Sequence, residues 1–200
     1  MRLSIFIVGF FSLVLLSFTD QNNNDVAFAT SAIYDDSGYV NLILLRHAKS
    51  DKSNMNMADI ERPLEASGRQ EAKEMGAFMK ENTHVIDVIF SSPSVRTKQT
   101  LEIICPLIGY DFSKVVWDSS LYACSGEHII EFVKEHGATN SHVMIVGHNP
   151  SITDAANALQ KENTITEVKT CGAVSIWFPT SSWKEISDTT GELQYYHKPK

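Results

Sequence analysis

Two histidines and three arginines are the residues best suited to chemistry. Arg46 and His47 are adjacent and follow directly on an apolar run, VNLILL, from Val40 to Leu45. An arginine offers five donors in a planar fork that matches phosphate. A histidine beside it can act as base, metal ligand or nucleophile. Arg96 follows Ser91-Ser92-Pro93, where a strand pattern passes into a helical one. Phosphate favours such a place, because free amides and the helix dipole point there. His148 stands in Gly-His-Asn-Pro between an apolar run and a helical pattern. Gly147 allows positive φ and close backbone approach, and Pro150 suits the first turn of the next helix. Singly, each has an ordinary reading as a satisfied histidine or a turn-capping arginine. Together, each at the end of a separate strand, they point to one anion-handling site.

The elements that must position them are legible in the apolar pattern. Short apolar runs predict strands over 40–45, 85–90, 142–146 and 173–178, with a short strand over 115–117 and an edge strand over 192–196. Helical spacing marks 67–81, with Ser67 as N-cap, and 94–108, with Thr97, Thr100, Leu101, Ile104 and Leu107 facing inward. It also marks 126–135, with Ile129, Ile130 and Val133 as its stripe, and 151–159. The polar stretch from Asp51 to Asp59 reads as a loop. Strands alternating with helices imply an α/β domain: a three-layer α/β/α sandwich around a mainly parallel central sheet. In such sheets the ligand crevice lies beyond the carboxyl ends of the strands. Those ends are where Arg46-His47, the turn before Arg96 and His148 fall.

Composition narrows the partners. The 200 residues carry 17 basic and 24 acidic side chains, a net charge of −7. A non-specific nucleic-acid binder is normally basic, so that class is disfavoured and any anion site must be a local concentration of arginine. Cys105, Cys124 and Cys171 form no CxxC pair. They read as structural thiols rather than a disulfide framework or zinc site, one disulfide being left open.

Residues 1–38 stand apart. MRLSIFIVGFFSLVLLSF has a basic tip and an apolar core, followed by a polar stretch and Ala27-Phe28-Ala29. This is the pattern of an export signal. An uncleaved single anchor, the one route by which a membrane would be a partner, and a bipartite plastid-type leader are the alternatives. The domain proper is expected over 39–200.

Three segments in order, LLRHAKS (Leu44–Ser50), SSPSVRTKQT (Ser91–Thr100) and VGHNP (Val146–Pro150), resemble the histidine phosphatase superfamily, the phosphoglycerate mutase-like group. The resemblance covers about Val40 to Phe178. ADIERPLEASGRQEAKEMG (Ala58–Gly76) is similar to the short SixA-type branch of phosphohistidine phosphatases, in which the arginine before Pro-Leu, here Arg62, reaches the phosphate. The resemblance implies that His47 attacks phosphorus and that His148 hydrogen-bonds the phosphoryl oxygens. Arg46, Arg62 and Arg96 would neutralise charge on the transferring group. It implies no cofactor and no metal.

Larger members place a glutamate about thirty residues after the second arginine to protonate the leaving oxygen. The nearest counterpart here is Glu127, in a context unlike that of the larger members, and its ordinary reading is a first-turn glutamate favourable to a helix dipole. A phosphoramidate with a protonated ring nitrogen leaves as neutral imidazole, so a weak acid is tolerated best with phosphohistidine or activated esters. Tyr122, Asn54 and Lys49 are candidate pocket walls that read as ordinary surface. The expected activity is a metal-independent phosphatase acting on a phosphorylated small molecule or a phosphohistidine protein. A catalytically weak phosphate-recognising module and a mutase-like phosphotransferase are the competing readings.

Overall fold

Val40–Arg46 forms strand β1, and its apolar run has no polar face because both sides of it are covered. Leu42 and Leu44 join one core cluster, while Ile43 and Leu45 join the other, as the twofold side-chain alternation of a strand requires. The computed structural model describes residues 38–83, 85–161 and 165–200. The proposed N-terminal leader, apart from Gly38, lies outside the described residues.

The chain continues through α1 (Ala66–Asn82), β2 (Val88–Ser91), α2 (Val95–Ile108), β3 (Val116–Trp117) and α3 (Gly126–His136). It then passes through β4 (His142–Gly147), α4 (Ser151–Leu159), β5 (Ala173–Phe178) and β6 (Glu192–His197). The sheet order is β3-β2-β4-β1-β5-β6. β3, β2, β4 and β1 run parallel; β5 is antiparallel to β1 and β6 to β5. Met75, Met79, Leu101 and Ile104 of α1 and α2 cover one face with Ile43, Leu45, Ile89 and Met144. Ile129, Val133, Ile152 and Leu159 of α3 and α4 cover the other with Leu42, Leu44, Val143 and Ile145. The result is the α/β/α sandwich with a mainly parallel sheet. Tyr39–Lys200 forms one compact unit.

Four local details differ from the pattern reading. β2 starts at Val88 rather than 85. Val85 is exposed, and Asp87 ties the entry by accepting at its carboxylate from the backbone of Ser141 and His142, both at 2.8 Å. α1 starts at Ala66 with Glu65 as N-cap, not Ser67. The Glu65 amide donates to the Lys49 carbonyl at 3.1 Å, which sets the entry two residues earlier, and the Ser67 hydroxyl donates to the Glu65 carboxylate. Leu107 is partly exposed rather than inward-facing, lying over Gly76 of α1. Gly147 completes the ladder opposite Arg46 as an ordinary strand residue with no positive φ.

The register brings three strand ends level. Leu45 faces Val146, which faces Ser91 on its other side. The next residues continue the ladder: the His47 amide donates to the Gly147 carbonyl and the Ser92 amide to the Val146 carbonyl, each at 3.1 Å. All three cysteines are unpaired, Cys105 and Cys171 being buried in the core. Among the described residues no helix is long and apolar enough to cross a membrane.

Candidate active site

His47 is the first residue past β1, and two contacts define its tautomer. The Arg96 Nε–H donates to His47 Nε2 at 3.3 Å, so Nε2 carries a lone pair. Nδ1 must then carry the proton, and it donates to the Ala48 carbonyl at 2.8 Å. Burial lowers the ring pKa to about 3; the Ala48 hydrogen bond opposes this, and His148, Arg96 and Arg46 add to the lowering. The ring is therefore neutral near pH 7, with its nucleophilic nitrogen towards a guanidinium.

His148 follows β4, and its ring centroid is 5.1 Å from that of His47. Its Nε2 is bonded to the Ser92 hydroxyl at 2.8 Å, and its Nδ1 is buried without a partner. Burial again is the first cause of its pKa falling to about 4, with Arg96 next, Asp59 opposing and Arg46 contributing.

Arg96 lies in the first turn of α2 and is buried. Ser94 caps that turn, its hydroxyl accepting from the Thr97 amide. Thr100 couples the helix to the segment after β1: it donates to the Arg96 carbonyl at 2.7 Å and accepts from the Ala48 amide at 3.0 Å. Arg46 donates from one terminal nitrogen to Glu167 and to the Val168 carbonyl, at 2.9 and 2.7 Å, while its Nε is buried and unpaired. Arg62 closes the 3₁₀ turn Asp59–Glu61. It donates to the Asp51 carbonyl, Asp59 Oδ1 and the Ser50 hydroxyl at 2.9, 2.6 and 2.7 Å.

A cavity of about 430 Å³ opens on this edge, lined by Arg46, His47, Lys49, Ser50, Lys52, Arg62, Glu65, Arg96 and Thr170. Five cationic side chains around one lining carboxylate, on a chain of net charge −7, form a local site for a tetrahedral oxyanion. Among the described residues no group of three or more His, Cys, Asp or Glu is arranged to hold a metal ion.

Of the residues read from sequence, His47, Arg46, Arg62 and Arg96 thus border one cavity and His148 flanks it. Glu127 is in the first turn of α3, exposed and outside the cavity lining. Asn54 is exposed and accepts from the Asn56 amide. Lys49 is on the rim, paired with Glu65 at 2.8 Å.

One site residue, Asp59, has no place in the pattern reading, and a second, Tyr122, has one only as a candidate wall taken for ordinary surface. Tyr122 is not mere surface: its ring meets that of His148 edge-on at 5.3 Å, and the Arg96 guanidinium carbon lies 5.8 Å from its centroid. Its hydroxyl donates to Asp59 Oδ2 at 2.8 Å, and Arg96 donates to the same oxygen at 2.8 Å. These donors, Tyr122 first and then Arg96 and Arg62, hold the Asp59 carboxyl at about 2 against the opposing cost of partial burial. The Asp59-to-Arg62 spacing, three residues, is the one sequence signal that could have flagged the aspartate.

A sandwich whose parallel strand ends present paired imidazoles ringed by arginines defines a phosphoryl-handling class. The model of the histidine phosphatase superfamily (branch 1) matches residues 42–121. Over that stretch the chain is similar to the histidine phosphatase superfamily. An uncharacterized chloroplastic protein of Arabidopsis thaliana is 27% identical over 158 residues, 75% of this chain and 72% of that one. An uncharacterized protein of Mycobacterium tuberculosis is 27% identical over 165 residues, 78% of this chain and all of that one. In fold, the chain is similar to a protein of Nakamurella multipartitia assigned as the phosphohistidine phosphatase SixA, with TM-score 0.69 and 23% identity over 81% of this chain and 97% of that one. It is similar also to the protein histidine phosphatase SixA complexed with tungstate, with TM-score 0.68 and 18% identity over 80% and 97%.

Proposed function

We propose that the chain is a metal-independent phosphatase that forms a phosphohistidine intermediate on His47. The observation that carries this is the neutral imidazole with a fixed Nδ1 proton and an Nε2 lone pair at the mouth of an arginine-lined cavity. His47 Nε2 attacks phosphorus, the bond to the leaving group breaks, and water then releases phosphate from the nitrogen. Arg62, Arg96 and Arg46 balance the charge on the equatorial oxygens, and the unpaired Nδ1 of His148 is available to one of them. Positioned donors, rather than covalent help, supply most of the effect in such transfers. A protein with this fold is complexed with tungstate, a tetrahedral oxyanion, which is in keeping with this reading.

The substrate is a phosphomonoester or a phosphohistidine side chain. The Lys49 and Lys52 rim leaves the cavity open to either. Residues 1–38 are read as an export or anchoring segment.

The test is hydrolysis of p-nitrophenyl phosphate in EDTA by the full chain, with acid-labile phosphate trapped on the protein by rapid quench. His47→Ala is expected to abolish both signals. Undiminished turnover by that variant would remove the assignment.

A further inference from the structure

Glu127 is exposed in the first turn of α3 and has no contact with the cavity-lining arginines, whereas a proton donor for an ester leaving group has to sit beside them. The other carboxylates at the site are engaged elsewhere. Glu65 is tied to Lys49 and Ser67 on the rim. Glu167 is tied to Arg46 and Lys169. Asp59 differs. It takes hydrogen bonds from Arg62, Arg96 and Tyr122, and its backbone carbonyl accepts from Arg96 as well. Arg96 is thus a bridge, with Nε on the nucleophilic nitrogen of His47 and a terminal nitrogen on Asp59 Oδ2. One guanidinium therefore spans the attacking atom and the carboxylate.

We propose that Asp59 is the general acid of this active site, protonating the leaving oxygen in the first step and taking a proton from water in the second. This rests on the phosphatase reading. Its physical basis is competition for donors. A phosphoryl group that uses Arg62 and Arg96 must approach the carboxylate that holds them in the free protein. Two anions sharing one set of donors cannot both stay fully ionised, and a proton settles between them. That proton arrives with the monoanionic ester or from water. His47 Nε2 then forms its bond to phosphorus while the bond to the leaving oxygen breaks. The electron pair stays on that oxygen, which takes the proton from Asp59. In the second step water's oxygen bonds phosphorus, the nitrogen–phosphorus pair returns to Nε2, and water's proton returns to the Asp59 carboxylate. Tyr122 is a positioning residue that aims the carboxylate. Tyr122 is the first cause of the low carboxyl pKa in the free protein, with Arg96 and Arg62 after it, so a phosphoryl group that takes the two arginines removes part of what holds that pKa down.

The experiment compares the full-length wild type with Asp59→Asn and Tyr122→Phe on p-nitrophenyl phosphate, phenyl phosphate and glycerol 2-phosphate. These esters span good to poor leaving groups. Thermal melts verify that both variants are folded. A missing general acid costs about 10²–10⁴-fold where the leaving group needs a proton. Asp59→Asn is therefore expected to lose about that much kcat/KM on phenyl and glycerol phosphates and less than about tenfold on the nitrophenyl ester. Tyr122→Phe should show the same trend at smaller amplitude. A uniform loss across the three esters, or a uniform gain from unmasking the arginines, overturns the inference while the phosphatase reading stands. A wild-type chain that turns over a phosphohistidine peptide but none of the esters overturns the inference alone, and one that turns over none of the four overturns both.

Discussion

His47 and His148 stay neutral because burial and the nearby guanidiniums penalise their charged forms, which also couples the site to stability. Unfolded, both rings ionise near 6.5; folded, they resist protonation down to about 3 and about 4. Between those limits the unfolded chain binds the extra protons, so stability rises with pH through the window and falls on acidification from pH 7 towards 4. Each ring contributes at most about 1.4 kcal/mol per pH unit. Asp59, held at about 2 instead of 3.8, adds a dependence of the same sign only below 3.8. Thermal melts from pH 7 to 4 are expected to show this fall, and His148→Gln to flatten it; an unchanged slope in the variant would discount His148 as a source.

At the scale of elements, the site depends on α1 pressing against the segment that follows β1. Gly68 allows that contact. A Cβ there would sit 2.0 Å from the Lys49 carbonyl oxygen, and Glu71 on the same helix accepts from the Lys49 amide at 2.8 Å. Gly68→Ala must push helix and segment apart. The expected cost is about 1–3 kcal/mol, a melting temperature lower by roughly 2–10 °C. Because Lys49 is two residues from His47, kcat/KM should fall as well. A variant that melts as the wild type does would show that the backbone yields there without strain.

For the whole molecule, two core layers on a single sheet place every described site residue within Tyr39–Lys200. A chain starting at Gly38 is therefore expected to melt cooperatively and to retain the kcat/KM of the full chain on p-nitrophenyl phosphate. A more than tenfold loss would show that the leader contributes to the site.

The apolar runs, their lengths and the residues ending them determined the α/β architecture and the placing of His47, Arg96 and His148 at three strand ends. Such patterns are local: burial on both faces writes itself into consecutive residues. The start of β2, the cap of α1 and the outward lean of Leu107 were decided by partners elsewhere in the chain, Ser141, His142, Lys49 and Gly76. So was the carboxylate at the site. Asp59 meets Arg96 across 37 residues and Tyr122 across 63, and no spacing rule links such positions until the loop folds over the strand ends. The imidazole tautomer has the same origin, since the Arg96 Nε–H that assigns it comes from a helix 49 residues further along.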